Sequence, residues 1–206
     1  MSAFKQVIQD EAELRAILGY AGQAAQNKVI PEIDDICRAF IEKSPFVLLG
    51  STDANGNMDV SPKGDPAGFV QVMDSKTLLI PDRPGNRRGD TLTNIVQNPN
   101  MGLLFLVPGR SDTLRVNGTA QIVRDEDIRE RFTMQGKVPM FVIAVTVKEV
   151  FFHCTKCVVR AGLWTSETAP DALVSLGAAL IKHAKLDISV EEADAMMVEE
   201  EKFELY

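Results

Sequence analysis

Cysteine is scarce in this sequence and histidine scarcer: three and two in 206 residues. An odd number of cysteines does not make a disulfide framework. Long apolar runs are missing as well. No stretch of about 18 such residues occurs, so no transmembrane helix is expected. The opening "MSAFKQVIQDEAELR" lacks the apolar stretch of a signal peptide. These absences point to a cytoplasmic protein in a reducing compartment. Excess positive charge is lacking too. A formal net charge of -7 argues against nucleic acid or a membrane surface as the main partner. Any anion site must then be a local basic pocket. Neither Gly-x-Ser-x-Gly nor a P-loop pattern is present, which leaves hydrolase and nucleoside-triphosphatase readings unsupported. There is no internal repeat and no low-complexity linker.

What is present suits one medium-sized folded unit. Hydrophobic residues make up 45% and charged residues 25%, enough for a real core. Residues 10–43 carry helical signals. Asp10 with Glu13 resembles a capping box, and Leu14, Ile17 and Leu18 follow at helical spacing. Pro31 suits a first helical turn, followed by a stripe of Ile33, Ile36, Cys37, Phe40 and Ile41. The pattern changes at Pro45. "FVLLGS", "NMDVSPK", "GFVQVM" and "KTLLIP" read as four antiparallel strands in a meander, with Asn55-Gly56 as a tight turn. "RGDTLTNIVQNP" has helical spacing with Pro99 as its stop. "MGLLFLV", "TLRVNGTAQIV" and "PMFVIAVTVKEVFFHC" add three strands, with a short charged helix in "DEDIRERFTMQG". Beyond Trp164 helix returns, opened by Pro170 and then by a Ser189–Glu192 capping box. Met196 and Met197 are expected to pack the acidic last helix on the body. The fold class is mainly β with flanking helices (α+β), a small antiparallel barrel. The segments are 1–43 helical, 44–165 barrel and 166–206 helical.

Two stretches carry chemistry. In "IPDRPGNRRGDTLTNI", Arg83, Arg87 and Arg88 cluster between an apolar strand and a helix start. A helix start exposes unpaired N–H groups, and arginine offers a planar fork of donors, so both attract phosphate. Gly85 admits close backbone approach, and Asn86 offers a donor and an acceptor. A phosphomonoester held by Arg87, Arg88 and the helix start fits this pattern, with Arg83 nearer a polar ring edge. The alternative is a solvated loop whose arginines pair with Asp82 and Asp90. In "NMDVSPKGD", Asp59, Ser61 and Lys63 share one strand face while Met58, Val60 and Pro62 take the other. That reads as an edge strand lining a cleft, or as a plain solvent face.

His153, Cys154 and Cys157 resemble part of a metal or redox site, but a second ligand pair is missing. Buried structural cysteines are the expected reading. No metal site is expected.

"NGNMDVSPKGDPAGFV", "LLIPDRPGNRRGDTLTNIVQNPNMGLLF" and "TLRVNGTAQIV" together resemble the FMN-binding split β-barrel of the pyridoxamine 5′-phosphate oxidase-like superfamily. "HCTKCVVRAGLW" is similar to the Lys-x3-Arg-x3-Trp ending of an FMN-binding branch related to that oxidase. The resemblance implies a six- to seven-stranded antiparallel Greek-key split barrel holding FMN. It places Arg87 and Arg88 on the phosphate, with Asn86 and Thr91 as supports. Asp82 and Arg83 would meet the flavin ring or ribityl chain, and Ser61 and Lys63 would run along the isoalloxazine. It implies a homodimer with flavin at the interface, so that Lys156, Arg160 and Trp164 reach the partner subunit's flavin; Arg115 lies near the site. The implied activity is an FMN-dependent oxidoreductase acting on a small molecule. A non-catalytic flavin carrier or sensor is the alternative, as is the same barrel with F420 or with haem, for which His153 would be the ligand. The chain departs from genuine vitamin B6 oxidases after Trp164. It has Lys182, His183 and Lys185 in a helix and an acidic tail, where those enzymes have an arginine- and histidine-rich segment.

Overall fold

The computed structural model describes residues 4–165, 174–203 and 206. Seven strands form one antiparallel sheet: β1 (Phe46–Thr52), β2 (Met58–Gly64), β3 (Gln71–Asp74), β4 (Thr77–Asp82), β5 (Asn100–Leu106), β6 (Thr113–Val123) and β7 (Phe141–His153). Their order across the sheet is β2-β1-β5-β6-β7-β4-β3. The two edges carry no ladder between them, so the barrel is split rather than closed.

The first four strands are not the meander that their spacing suggests. They form two hairpins placed at opposite ends of the sheet. The physical reason lies in what each strand must bury. β2 alternates exposed and half-buried residues, as an edge strand with one wet face can. β4 buries Leu78, Leu79, Ile80 and Pro81 in succession and so needs cover on both faces. Leu78 and Ile80 find it in the barrel core and Leu79 in a second cluster with Phe132 and Val142, while β7 pairs along its edge with Ile80 opposite Ile143. The β1–β2 turn forms where Asn55-Gly56 marks it. Asp53 Oδ1 accepts from Asn55 N at 2.8 Å and Asn57 N at 2.9 Å, and Gly56 takes φ 84°.

β6 and β7 make the longest ladder, broken by one bulge at Asn117/Gly118. Gly118 is required there: a Cβ would stand 2.1 Å from the Thr146 carbonyl oxygen. Val47, Leu49, Phe105, Leu114, Val116, Ile143 and Val145 line the barrel interior.

The amino-terminal region is three helices, one more than the two whose signals begin at Asp10 and Pro31: α1 (Glu11–Leu18), α2 (Gln23–Asn27) and α3 (Asp35–Lys43). Pro31 does not open a helix. Ile30 before it exchanges two backbone hydrogen bonds with Val150, at 3.0 and 2.9 Å, and this holds the chain extended. Asp34 caps α3 instead, accepting from Cys37 N at 2.8 Å. Cys37, Phe40 and Ile41 then plug one end of the barrel, whereas Ile36 faces solvent. In α1 the Asp10 cap forms, but no residue of that helix is buried.

α4 (Asp90–Gln97), α5 (Glu126–Glu130) and α6 (Lys156–Ala161) connect the strands and close the barrel segment. Pro170 lies outside the described residues. α7 (Leu176–Ala184) is capped by Ser175, and α8 (Val190–Phe203) by Ser189, whose N–H reaches Glu192 Oε2 at 2.8 Å. α8 packs on α7 through Ala193 and Asp194, so Met196 stays exposed rather than meeting the body.

The cysteines also differ from expectation. Strand β7 ends at His153 and α6 begins at Lys156, which leaves Cys154 and Cys157 exposed at that turn; Cys37 alone is buried. Burial, reinforced by the neighbouring Asp34 carboxylate, pushes the Cys37 thiol up to about 12. A thiol-specific reagent is therefore expected to label Cys154 and Cys157 in the folded protein and Cys37 only after unfolding. Labelling of all three at one rate would contradict this packing.

Candidate functional site

β2 is one edge of the sheet, and β4 lies one strand in from the other. Side chains, not backbone, join them across the split. Lys63 Nζ of β2 stands 3.3 Å from Asp82 Oδ1 of β4. Just beyond the two strand ends, Arg83 Nε donates to Asp65 Oδ2 at 2.7 Å, and the Asp65 side chain is only 2% exposed. Arg83 Nη1 also donates to the Phe132 carbonyl at 2.7 Å. Arg83 is thus engaged on two sides and anchors the seam.

α4 is fixed beside this seam by polar bonds to the first hairpin. Thr91 Oγ1 donates to Asp59 Oδ2 at 3.0 Å, Asn94 Nδ2 to Ser51 Oγ at 3.0 Å and Asn98 Nδ2 to Thr52 Oγ1 at 2.7 Å. Thr91 and Asn94 are buried, so these bonds lie in a setting where an unmade partner would be costly. They aim the start of α4 at the space between β2 and the end of β4.

That space is a cavity of about 760 Å3, within the general range of small-molecule sites. The edge-strand face supplies Asp59, Ser61 and Lys63, and the end of β4 supplies Asp82 and Arg83. Asn86, Arg87, Arg88 and Thr91 come from the loop and the start of α4; Lys137 to Phe141 and Tyr206 complete the wall. Gly85 fronts open space, with no atom within 4 Å of where a Cβ would stand.

The loop geometry presents its charges to this cavity. Arg87 adopts φ 59° and Gly89 φ 68°, both left-handed. For a non-glycine residue that conformation costs about 1–2 kcal/mol, a strain that functional loops retain. Asn86 Oδ1 accepts from Arg88 N at 3.0 Å and braces the turn. Arg88 pairs with Asp90, and that contact raises its pKa further. The pair is exposed, so an incoming anion can replace it cheaply. Arg87 has no hydrogen bond or ion pair among the described residues. The solvated-loop alternative is therefore met only in part: Asp90 takes Arg88, but Asp82 takes Lys63 and Arg87 stays uncompensated.

Eight of the residues singled out from sequence meet in this one cavity: Ser61, Lys63, Asp82, Arg83, Asn86, Arg87, Arg88 and Thr91. Four stand outside it. Arg115 lies on β6 with its guanidinium over the Phe151 ring at 5.1 Å and near Glu149. Lys156 and Arg160 are on α6, and Trp164 Nε1 donates to the Arg110 carbonyl at 2.7 Å. His153 packs at a tilt against the Phe151 ring, away from the cavity. Partial burial, then the Arg115 and Lys28 charges, depress its pKa. No group of three metal-ligating side chains exists among the described residues. A second hollow of about 310 Å3 lies over Gly50, Gly102 and Gly118 and holds none of these residues.

Sequence reasoning missed Asp65, Lys137 and Tyr206. Asp65 had a usable signal, an acidic residue directly after the Ser-x-Lys strand. Tyr206 had none, since its partner Asp65 lies 141 residues away.

The two arginines at the ends of the loop should behave oppositely. Arg83→Ala would leave a buried carboxylate without its cation and is expected to cost about 3–5 kcal/mol in denaturant unfolding. Arg87→Ala should stay within about 0.5 kcal/mol of the parent. Equal costs would contradict the division between an anchoring and a cavity-facing arginine.

Comparison with known proteins finds structural neighbours and one matching family model. HupZ of Group A Streptococcus is 22% identical, with a TM-score of 0.49 over 58% of this chain and 93% of that one. General Stress Protein 26 from Bacillus anthracis is 17% identical, with a TM-score of 0.43 over 55% and 88%. An FMN-binding protein from Syntrophomonas wolfei is 12% identical, with a TM-score of 0.44 over 57% and 83%. No curated protein matches the chain. No helix among the described residues is long and apolar enough to cross a membrane. The family model for pyridoxamine 5′-phosphate oxidase matches residues 33–154, a span that takes in every strand, the seam and the arginine loop. The chain belongs to the pyridoxamine 5′-phosphate oxidase family.

Proposed function

We propose that this chain is an FMN-binding flavoprotein and an FMN-dependent oxidoreductase, formed as a homodimer of single split-barrel units. The observation that carries the reading is Arg87: an uncompensated, strained arginine at the start of α4, facing a cavity of about 760 Å3 in an acidic protein. A fixed cation without a partner is a site for an anion.

In this reading Arg87, Arg88 and the first N–H groups of α4 hold the cofactor phosphate, with Asn86 and Thr91 as supports. Ser61 and Lys63 lie along the flavin ring, and Asp82 and Arg83 meet the ring edge or ribityl chain. Bound FMN would supply hydride or electron transfer between a reduced small-molecule donor and an acceptor such as oxygen. Lys63 sets a positive charge beside the ring edge, which favours negative charge there. The dimer contact uses the outer side of β2, where Met58 and Val60 are 69% and 60% exposed. Unpartnered apolar side chains of this kind mark protein contacts. Across that contact Lys156, Arg160 and Trp164 reach the partner's cavity, with Arg115 on the same outer face as the contact. Lys63 rather than Arg115 acts at this chain's own cavity.

The experiment is a double substitution. Two charge-assisted phosphate bonds at about 1.5–3 kcal/mol each correspond to a loss of at least roughly 100-fold in affinity. Arg87→Ala with Arg88→Ala should therefore release FMN from a purified yellow protein while its circular dichroism stays unchanged. A double variant that keeps the flavin of the parent would overturn the phosphate assignment. Anaerobic NADH or NADPH that bleaches the parent's flavin bands supports the oxidoreductase; an inert flavin supports a carrier or sensor instead.

A further inference from the structure

The wall of the cavity contains a residue that neither the arginine loop nor the barrel strands account for. Asp65, directly after β2, spends both carboxylate oxygens. Oδ2 takes the Arg83 Nε–H at 2.7 Å, and Oδ1 takes the Tyr206 hydroxyl at 2.6 Å. The Tyr206 ring lies under the Arg83 guanidinium at 5.2 Å, a cation–π distance. Lys137 Nζ donates to the Tyr206 main-chain oxygen. Three segments thus converge on one residue, Asp65 and Arg83 on its side chain and Lys137 on its main chain. Asp65 accepts from the phenol and keeps it protonated, so the hydroxyl remains a donor.

Tyr206 lines the cavity, and about 760 Å3 remains with the ring in place. A ring that leaves a ligand-sized space is a wall rather than a plug. Its contacts are with Asp65, Arg83 and Lys137, which set it beside the anchored seam and not on the Arg87–Thr91 turn. Planar aromatic faces pack well on aromatic walls, without regard to a distant phosphate.

We propose that Tyr206 is a binding residue of this site, an aromatic wall for the planar ring of the cofactor, latched by the buried Asp65 carboxylate. The inference rests on the flavin reading above and adds the residue that recognises the ring. It predicts a separation of effects between the two ends of the ligand. The wall acts on any isoalloxazine, whereas the arginines act only on a phosphorylated one.

The test is a pair of titrations, with FMN and with riboflavin, which lacks the phosphate, followed by flavin fluorescence. Tyr206→Ala should weaken both ligands by the same factor, about tenfold. Tyr206→Phe keeps the ring but loses the latch, and should fall between the parent and Tyr206→Ala for both flavins. The Arg87→Ala, Arg88→Ala variant should weaken FMN and leave riboflavin unchanged. A Tyr206→Ala variant that binds both flavins like the parent, or loses FMN alone, overturns the wall while the flavin reading stands. A parent protein that takes up neither flavin overturns the flavin reading, and the wall with it.

Discussion

The architecture depends on a sheet that does not close. β2 and β4 face each other across the split without a backbone ladder, and two ion pairs bridge them, Lys63 with Asp82 and Arg83 with Asp65. The second pair is the stronger constraint. Its carboxylate is buried and has both oxygens satisfied, so removing either partner strands a charge away from water. Because the seam is held by side chains at its far end only, a ligand-sized cavity stays open beside it. The same strand positions that would have completed a barrel ladder instead turn Asp59, Ser61 and Lys63 toward that space.

Charge is then distributed with economy. The chain is acidic, and most cations near the cavity are already matched: Lys63 by Asp82, Arg83 by Asp65, Arg88 by Asp90. Arg87 is the exception, and its left-handed backbone shows that the loop bears strain to present it. α4 is fixed independently, through Thr91, Asn94 and Asn98 to the β1–β2 hairpin. The loop can thus be locally strained without the helix start losing its position. Division of labour follows: Arg83 anchors the seam, Arg87 faces the open cavity, and Arg88 can exchange a weak surface partner for a better one.

Much of this was legible in the residues. Alternation in "NMDVSPK" marked an edge strand with one polar face, and the basic loop before "DTLTNI" marked a helix start, because both signals are local. What could not be read was anything set by distant pairing. The two hairpins separate to opposite edges because β4 pairs with β7, a strand far along the chain. Pro31 stays outside a helix because Ile30 pairs with Val150. Cys154 and Cys157 are exposed because β7 ends one residue earlier. Asp65 and Tyr206 meet across 141 residues of chain, and no spacing rule reports that.

The central claim is that the cationic turn before α4 clasps the phosphate of a flavin mononucleotide bound in the seam. A crystal structure of the protein grown with FMN tests it most directly. The account predicts the phosphate within hydrogen-bonding distance of the Arg87 guanidinium and the first N–H groups of α4, with the ring system between β2 and the end of β4. Flavin density with the phosphate elsewhere, or an empty seam at saturating FMN, would contradict it.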